Sequence, residues 1–208
     1  MRFIRKDYEE PSFFTEWKGE ETHDWKPTFE EMSIKKELKA FLIEEQIGLC
    51  CYCESKLKEN YSHIEHFRPQ KSFPELSLDY QNMLCSCQCN LKKGMPVHCG
   101  NAKGDWFDET KLISPLDENC RAHFHFTGDG HIYPSDESDT AAKETISHLA
   151  LDIAELVKSR KGVIDSFLDE NISDEEFLDY HKRYFETLSA DNPPEFISAV
   201  LDTFSSNH

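Results

Sequence analysis

All eight cysteines of this 208-residue chain lie between Cys50 and Cys120, and seven of them between Cys50 and Cys99; residues 1–49 and 121–208 have none. Such clustering asks for a local cause. Cys50-Cys51-Tyr52-Cys53 contains a C-x-x-C, whose two sulfurs can occupy adjacent corners of one tetrahedral zinc ion. A second pair must then come from Cys85, Cys87, Cys89 and Cys99. The competing account, a disulfide framework, needs an oxidising compartment. The opening Met-Arg-Phe-Ile-Arg-Lys-Asp-Tyr-Glu-Glu begins basic but has no apolar stretch behind it, so it does not read as a signal peptide. No apolar run approaches the roughly 20 residues that span a bilayer. The expectation is a cytoplasmic chain, mature as it stands, without a membrane partner and with reduced thiols free to bind metal.

Hydrophobic residues make up 38% and charged residues 30% of the chain, with only 8 Gly and 9 Pro, which predicts a globular protein with a buried core. The net charge of −17 excludes binding to nucleic acid by bulk electrostatic attraction alone. That charge is unevenly spread. Residues 50–104 hold seven basic and five acidic side chains, a local +2, which leaves −19 on the remainder.

Between the two cysteine groups stands Ser62-His63-Ile64-Glu65-His66-Phe67-Arg68-Pro69, followed by Asp79-Tyr80-Gln81-Asn82. Phosphodiester hydrolysis needs a base that takes a proton from water and a hard divalent cation that neutralises charge on the phosphate. An adjacent acid and histidine can supply a metal ligand and the base. On an extended segment neighbouring side chains point to opposite faces, so Glu65 and His66 need a bend or an irregular strand end to converge. Asn82, on the paired segment, can hydrogen-bond backbone near His66 and so fix the imidazole.

Residues 50–104 resemble the HNH endonucleases. The resemblance rests on Ser62 to Pro69, Leu78-Asp79-Tyr80-Gln81-Asn82, Ser86-Cys87 and His98-Cys99-Gly100-Asn101-Ala102-Lys103-Gly104, and it continues weakly through Leu112 to Pro115 and Asp129 to Ile132. The Ile-Glu-His-Phe-Arg-Pro run is its most specific part, and about half the chain is covered. The pattern is similar to the nuclease subunits of Septu-type and retron-associated antiphage systems. The resemblance implies an α+β fold with a zinc-stapled ββα-metal core, treble-clef-like, and His66 as general base. It implies Glu65 as a ligand of Mg²⁺ or Mn²⁺ and Asn82 as the residue that orients the base. It also implies Asn101 as the second metal ligand and a structural zinc on Cys50, Cys53, Cys87 and Cys99. A second alignment, through Cys89-Asn90-Leu91-Lys92-Lys93, substitutes Asn90 for Asn101 and Cys89 for Cys99. The implied activity is metal-dependent cleavage of nucleic acid, with DNA favoured. The implied partners are an ATPase of the ABC/SMC type and, in retron versions, a reverse transcriptase with its RNA–DNA product. A catalytically silent zinc-binding adaptor is the alternative; a redox switch on the spare thiols has only cysteine number behind it.

Around that core the pattern divides into an N-terminal arm and helix (1–49), the nuclease core (50–115) and a hairpin with a C-terminal helical region (116–208). The first 25 residues give no clear period. Thr28 with Glu31 fits a capping box for a helix reaching Gln46, with Met32, Leu38, Phe41 and Leu42 as its apolar stripe. Ala122 to Phe126 and His131 to Pro134, around a Gly-containing turn, predict a β-hairpin. A helical period runs from Ala141 to Leu168, a capped helix is expected from Ser173, and a last one from Pro193-Pro194 through Phe204. Cys51, Cys85 and Cys120 are expected to be spare, His63 structural, and His98 a lesser candidate for zinc. Strand alternation explains His123, His125 and His131 without metal.

Overall fold

Short helices and two small antiparallel sheets make up an α+β fold in the computed structural model, which describes residues 1–6, 9–19, 33–167 and 193–205. The elements are α1 (Ser12–Gly19), α2 (Lys35–Glu45), β1 (Ser62–His66), β2 (Met83–Cys87), α3 (Cys99–Lys103), β3 (Phe124–Phe126), β4 (Ile132–Pro134), α4 (Thr140–His148), α5 (Ala154–Ser166) and α6 (Ile197–Ser205). Strands β1 and β2 pair in unbroken register, from Ser62 opposite Cys87 to His66 opposite Met83. Strand alternation therefore puts Ile64, Met83 and Cys85 on one face, where they pack with Phe14, Trp17, Leu38 and Leu42 of α1 and α2. His63, Glu65, Leu84 and Ser86 share the other face, against α3.

Helix α1 lies where the sequence gives no clear period. Its start is local: Pro11 ends the preceding segment, and its carbonyl accepts from Phe14 and Thr15 N–H at 2.8 and 3.2 Å. Eight residues offer only Phe14 and Trp17 to the core, too few for a period to be read. Helix α2 begins at Lys35 with no side-chain cap, and the Thr28–Glu31 capping box lies outside the described residues, as does the helix expected from Ser173.

The single helical period over Ala141 to Leu168 is corrected to two helices. Ala150 turns left-handed (φ 49°), and residues 149–153 leave the helix. The physical reason is tertiary. The carbonyls of Leu149 and Leu151, which a continuous helix would use internally, accept instead from Cys99 N–H at 2.8 Å and from the Arg160 guanidinium at 2.5 Å. The last helix starts at Ile197 rather than at the prolines, because Phe196 is itself left-handed (φ 55°).

The β3–β4 hairpin buries Phe124 and Phe126 and exposes His125, while His123 and His131 bond Asp139 and Asp152. Its turn needs Gly130, at φ +92°, where a Cβ would stand 2.3 Å from the Val157 carbonyl. Arg160 is 1% exposed, donates to the carbonyls of Gly130 and Leu151, and lies over the Phe126 ring. Arg160→Leu strips two buried carbonyls of a charged donor and is expected to cost about 3 kcal/mol. Urea unfolding checks this, and an unchanged midpoint would contradict it.

Candidate metal and catalytic site

Cys50 to Ser55 forms a tight knuckle. Leu49 bridges Lys56, Cys50 N–H donates to the Ser55 carbonyl, and Glu54 takes the left-handed conformation that closes the turn (φ 66°). Glu54 is buried, and its carboxylate holds the Met1 amino group at 2.9 Å and the N–H and hydroxyl of Ser198. Beside the knuckle lie Cys87, at the end of β2, and Cys99, the first residue of α3. The sulfurs of Cys50, Cys53, Cys87 and Cys99 are all within 4.8 Å of one another, and all four residues are buried. A tetrahedral zinc thiolate site has sulfur–sulfur edges of about 3.8 Å; Cys53 and Cys87 stand 3.7 Å apart. Cys87 N–H also donates to the Cys50 sulfur at 3.3 Å.

The donor set fits zinc chemically as well. Burial pushes the Cys50 thiol up, yet hydrogen bonds from its sulfur neighbours bring it well below its ordinary value. Cys53, raised by burial and Cys50, is brought to about 6 by Cys87 and Cys99. Cys87 is pushed up by its bonds to Cys50 and Cys53, and Cys99 by burial and the same two neighbours. Two of the four sulfurs thus favour the thiolate and two the thiol, and a zinc ion among them would take the place of the remaining protons. His98 stands at the rim, its Nδ1 3.1 Å from the Cys99 sulfur and 3.7 Å from that of Cys87. Cys89 lies apart on the loop, its thiol donating to the Asn60 carbonyl. Cys51, Cys85 and Cys120 are buried outside the cluster.

Glu65 projects from β1 toward α3 and is 6% exposed. Its two oxygens are differently engaged. Oε1 accepts from the Tyr52 hydroxyl at 3.1 Å and from Lys103 Nζ at 2.8 Å, whereas Oε2 faces His63 Nε2 at 3.4 Å. Burial disfavours its charge, but His63 and Lys103 hold its pKa below the ordinary carboxylate value. Lys103, itself 3% exposed, donates in addition to the His66 carbonyl at 3.0 Å. Neither Lys103 nor Tyr52 is singled out by sequence reasoning, although both lie inside the motif stretches; only the folded contact between α3, the knuckle and β1 gives them partners.

The unbroken register of β1 keeps Glu65 and His66 on opposite faces; the bend that would make them converge is absent. His66 Nε2 lies 3.0 Å from the Ser77 carbonyl, which can only accept and so favours a proton on Nε2, and 3.3 Å from the Gln70 side-chain amide. Burial lowers the pKa of His66, which favours the neutral ring. Asn82 supports both segments around it. Its Oδ1 accepts from Arg68 N–H at 2.8 Å, and its Nδ2 donates to the carbonyls of Arg68 and Leu76, at 3.0 and 3.2 Å. Asn82 thus reaches the backbone two residues beyond His66 and one residue before Ser77.

Asn101 is exposed on α3, and its amide donates to the Gln88 carbonyl, the same oxygen that lies 3.0 Å from His63 Nδ1. Asn90 is exposed on the loop, with its amide on the Cys89 sulfur. Gly100 is the other glycine whose missing Cβ matters: an added one would lie 2.4 Å from Glu65 Oε2 and 2.8 Å from His63 Nε2. Gly100→Ala is expected to displace the Glu65 carboxylate at a cost of only about 1–3 kcal/mol of stability, and so to weaken at least tenfold any divalent cation that Glu65 holds. Manganese titration beside a thermal melt checks this; wild-type affinity in the variant would contradict it.

No helix among the described residues is long and apolar enough to cross a membrane. No family profile matches the chain. It is 30% identical over 142 residues to a Vibrio cholerae serotype O1 biovar El Tor protein described as a candidate HNH endonuclease of retron Vc95, covering 65% of this chain and 67% of the relative. It is 41% identical over 63 residues to Septu protein PtuB of Bacillus thuringiensis, a match spanning 29% of this chain and 24% of that protein. With the Ile-Glu-His end of β1 and the cysteine cluster now in place, the chain belongs to the HNH endonuclease family, in the company of the retron and Septu proteins.

Proposed function

We propose that the chain is a metal-dependent HNH endonuclease hydrolysing phosphodiester bonds, with DNA as the favoured substrate, and that β1, β2 and α3 are its ββα-metal core. The observation that carries this reading is the Lys103 ammonium. By bonding the Glu65 carboxylate and the His66 carbonyl together, it ties the acid, the histidine and α3 into one unit. Glu65 and Asn101 are the residues that would hold Mg²⁺ or Mn²⁺, and Cys50, Cys53, Cys87 and Cys99 those that would hold a structural zinc. The divalent cation, when bound, supplies neutralisation of charge on the phosphate and the leaving oxygen. His66, neutral and oriented through Ser77, takes the proton of the attacking water, and Asn82 keeps the surrounding backbone rigid enough for that transfer.

The same reading makes residues 50–115 the nuclease unit, between an N-terminal arm (1–49) and a C-terminal helical region (116–208). It also makes the chain the effector of an antiphage complex in the bacterial cytoplasm. A local charge of +2 against −19 elsewhere supports a partner that supplies the grip on DNA, since affinity for the phosphate backbone comes largely from Lys and Arg. The names of the relatives support a partner from a Septu or retron system; the family resemblance makes that partner an ABC/SMC-type ATPase, with a reverse transcriptase and its RNA–DNA product in the retron case.

The opposite-face placement of Glu65 and His66 favours a second reading, a zinc-held adaptor without catalysis. Both readings include zinc. They separate on titration of the zinc-loaded chain with Mn²⁺: the nuclease takes up one exchangeable cation that Glu65→Gln abolishes, and the adaptor takes up none.

A further inference from the structure

His63 lies three residues before His66 and, unlike it, shares the face of β1 that carries Glu65. Two details of its ring are specific. Nδ1 lies 3.0 Å from the Gln88 carbonyl. A carbonyl can only accept, so Nδ1 carries the proton and the neutral ring turns its Nε2 lone pair the other way. That lone pair meets Glu65 Oε2 at 3.4 Å. Two acceptor atoms facing each other at this distance need either a proton or a cation between them. Cis ligands of an octahedral ion with bonds of about 2.1 Å stand about 3.0 Å apart, so a small adjustment would place both atoms on one ion.

The surroundings fit the cation. Oε1 of Glu65 is already satisfied by Tyr52 and Lys103, which leaves Oε2 as the oxygen for a metal. Gly100 keeps open the space that a Cβ would fill, 2.4 Å from Oε2 and 2.8 Å from Nε2. The His63 side chain is 27% exposed, so an ion there could keep waters, as a cleavage metal must. A backbone carbonyl behind the distal ring nitrogen is the usual means of fixing a metal-binding histidine. Asn101 donates to that same carbonyl, which puts its amide alongside the ring.

We propose that His63 is a ligand of the divalent cation together with Glu65, an inference that rests on reading Glu65 as the metal carboxylate. The site is then of mixed nitrogen and oxygen type. Imidazole suits the transition metals, whereas Mg²⁺ prefers oxygen alone, so His63 tilts the site toward Mn²⁺ over Mg²⁺.

The test is Mn²⁺ uptake by the zinc-loaded full-length chain, followed by electron paramagnetic resonance of free Mn²⁺, with Mg²⁺ competition. Losing even an outer-shell partner of a ligand weakens metal binding about 10–100-fold; His63→Ala is expected to lose at least tenfold in Mn²⁺ affinity while retaining one zinc per chain. His63→Asp, an oxygen replacement, is expected to regain binding with the preference moved toward Mg²⁺. His66→Ala is expected to bind Mn²⁺ as wild type does. If His63→Ala takes up Mn²⁺ with wild-type affinity, the histidine is only an ion-pair partner of Glu65 and the inference is overturned, with the nuclease reading untouched. If wild type itself takes up no Mn²⁺, the nuclease reading falls and the inference with it. Should His63→Ala lose zinc, His63→Gln, whose amide can still donate to the Gln88 carbonyl, carries the same comparison.

Discussion

Cys99→Ser is expected to release the zinc and to collapse the core around it. The four sulfurs come from three separate places: the knuckle, the end of β2 and the first residue of α3. A zinc ion held by them would be the joint between these pieces. Helix α3 has only five residues, one of them glycine, and starts from a left-handed cysteine at φ 55°. A helix this short does not persist without tertiary anchors. When a structural zinc forms, its apparent binding free energy of about 10–16 kcal/mol is folding free energy. Removing one sulfur should cost several kcal/mol and, through α3, take Lys103 and Gly100 away from Glu65. Metal content by atomic emission and thermal unfolding by circular dichroism measure both consequences. Cys89→Ser is the control, because that thiol bonds the Asn60 carbonyl outside the cluster. Zinc lost from Cys89→Ser and kept by Cys99→Ser would reverse the assignment.

His66→Ala is expected to lower cleavage by about 10²–10⁴-fold, the usual contribution of a positioned base. Zinc content and the melting profile should stay near those of wild type. His66 sits at the last position of β1, and its main-chain carbonyl, not its ring, accepts the Lys103 bond. Truncating the ring therefore leaves the clamp on Glu65 in place. What it removes is the group proposed to take the proton from water. The ring's Nε2 faces the Ser77 carbonyl and the Gln70 amide, so the proposed mechanism gives Ser77 and, behind it, Asn82 a positioning role. Asn82→Ala should accordingly lower the rate by less than His66→Ala. A well-folded His66→Ala protein that cuts at the wild-type rate would remove His66 from the mechanism.

The readable features of this chain are those fixed by local chemistry. C-x-x-C spacing brought out the knuckle, and the alternation of Phe124 and Phe126 brought out the hairpin, because each depends on a few adjacent residues. The fourth sulfur was not readable in this way. Cys89 and Cys99 both have an asparagine within two residues and a lysine shortly after it. The choice is made in space by the bond from Cys99 N–H to the Leu149 carbonyl, 50 residues away. That same bond belongs to the break between α4 and α5, which hydrophobic period alone bridges smoothly. The site shows the difference again. Adjacency of Glu65 and His66 suggests that they act side by side, yet strand alternation separates their side chains and brings Glu65 to His63 instead. The partners that settle the carboxylate, Tyr52 and Lys103, lie 13 residues before it and 38 after it. No spacing rule links them to Glu65; packing of the knuckle and α3 on one sheet face does.

The most direct measurement of the central claim is cleavage of supercoiled plasmid and single-stranded DNA by the zinc-loaded chain with Mg²⁺ or Mn²⁺. Wild type and His66→Ala are compared, each alone and with the proposed partner, an ABC/SMC-type ATPase. The account predicts cutting that requires the divalent cation, is lost in His66→Ala, and is stronger with the ATPase present. No cutting by wild type under any of these conditions, with zinc bound and the fold intact, would contradict it and leave the chain a zinc-held adaptor.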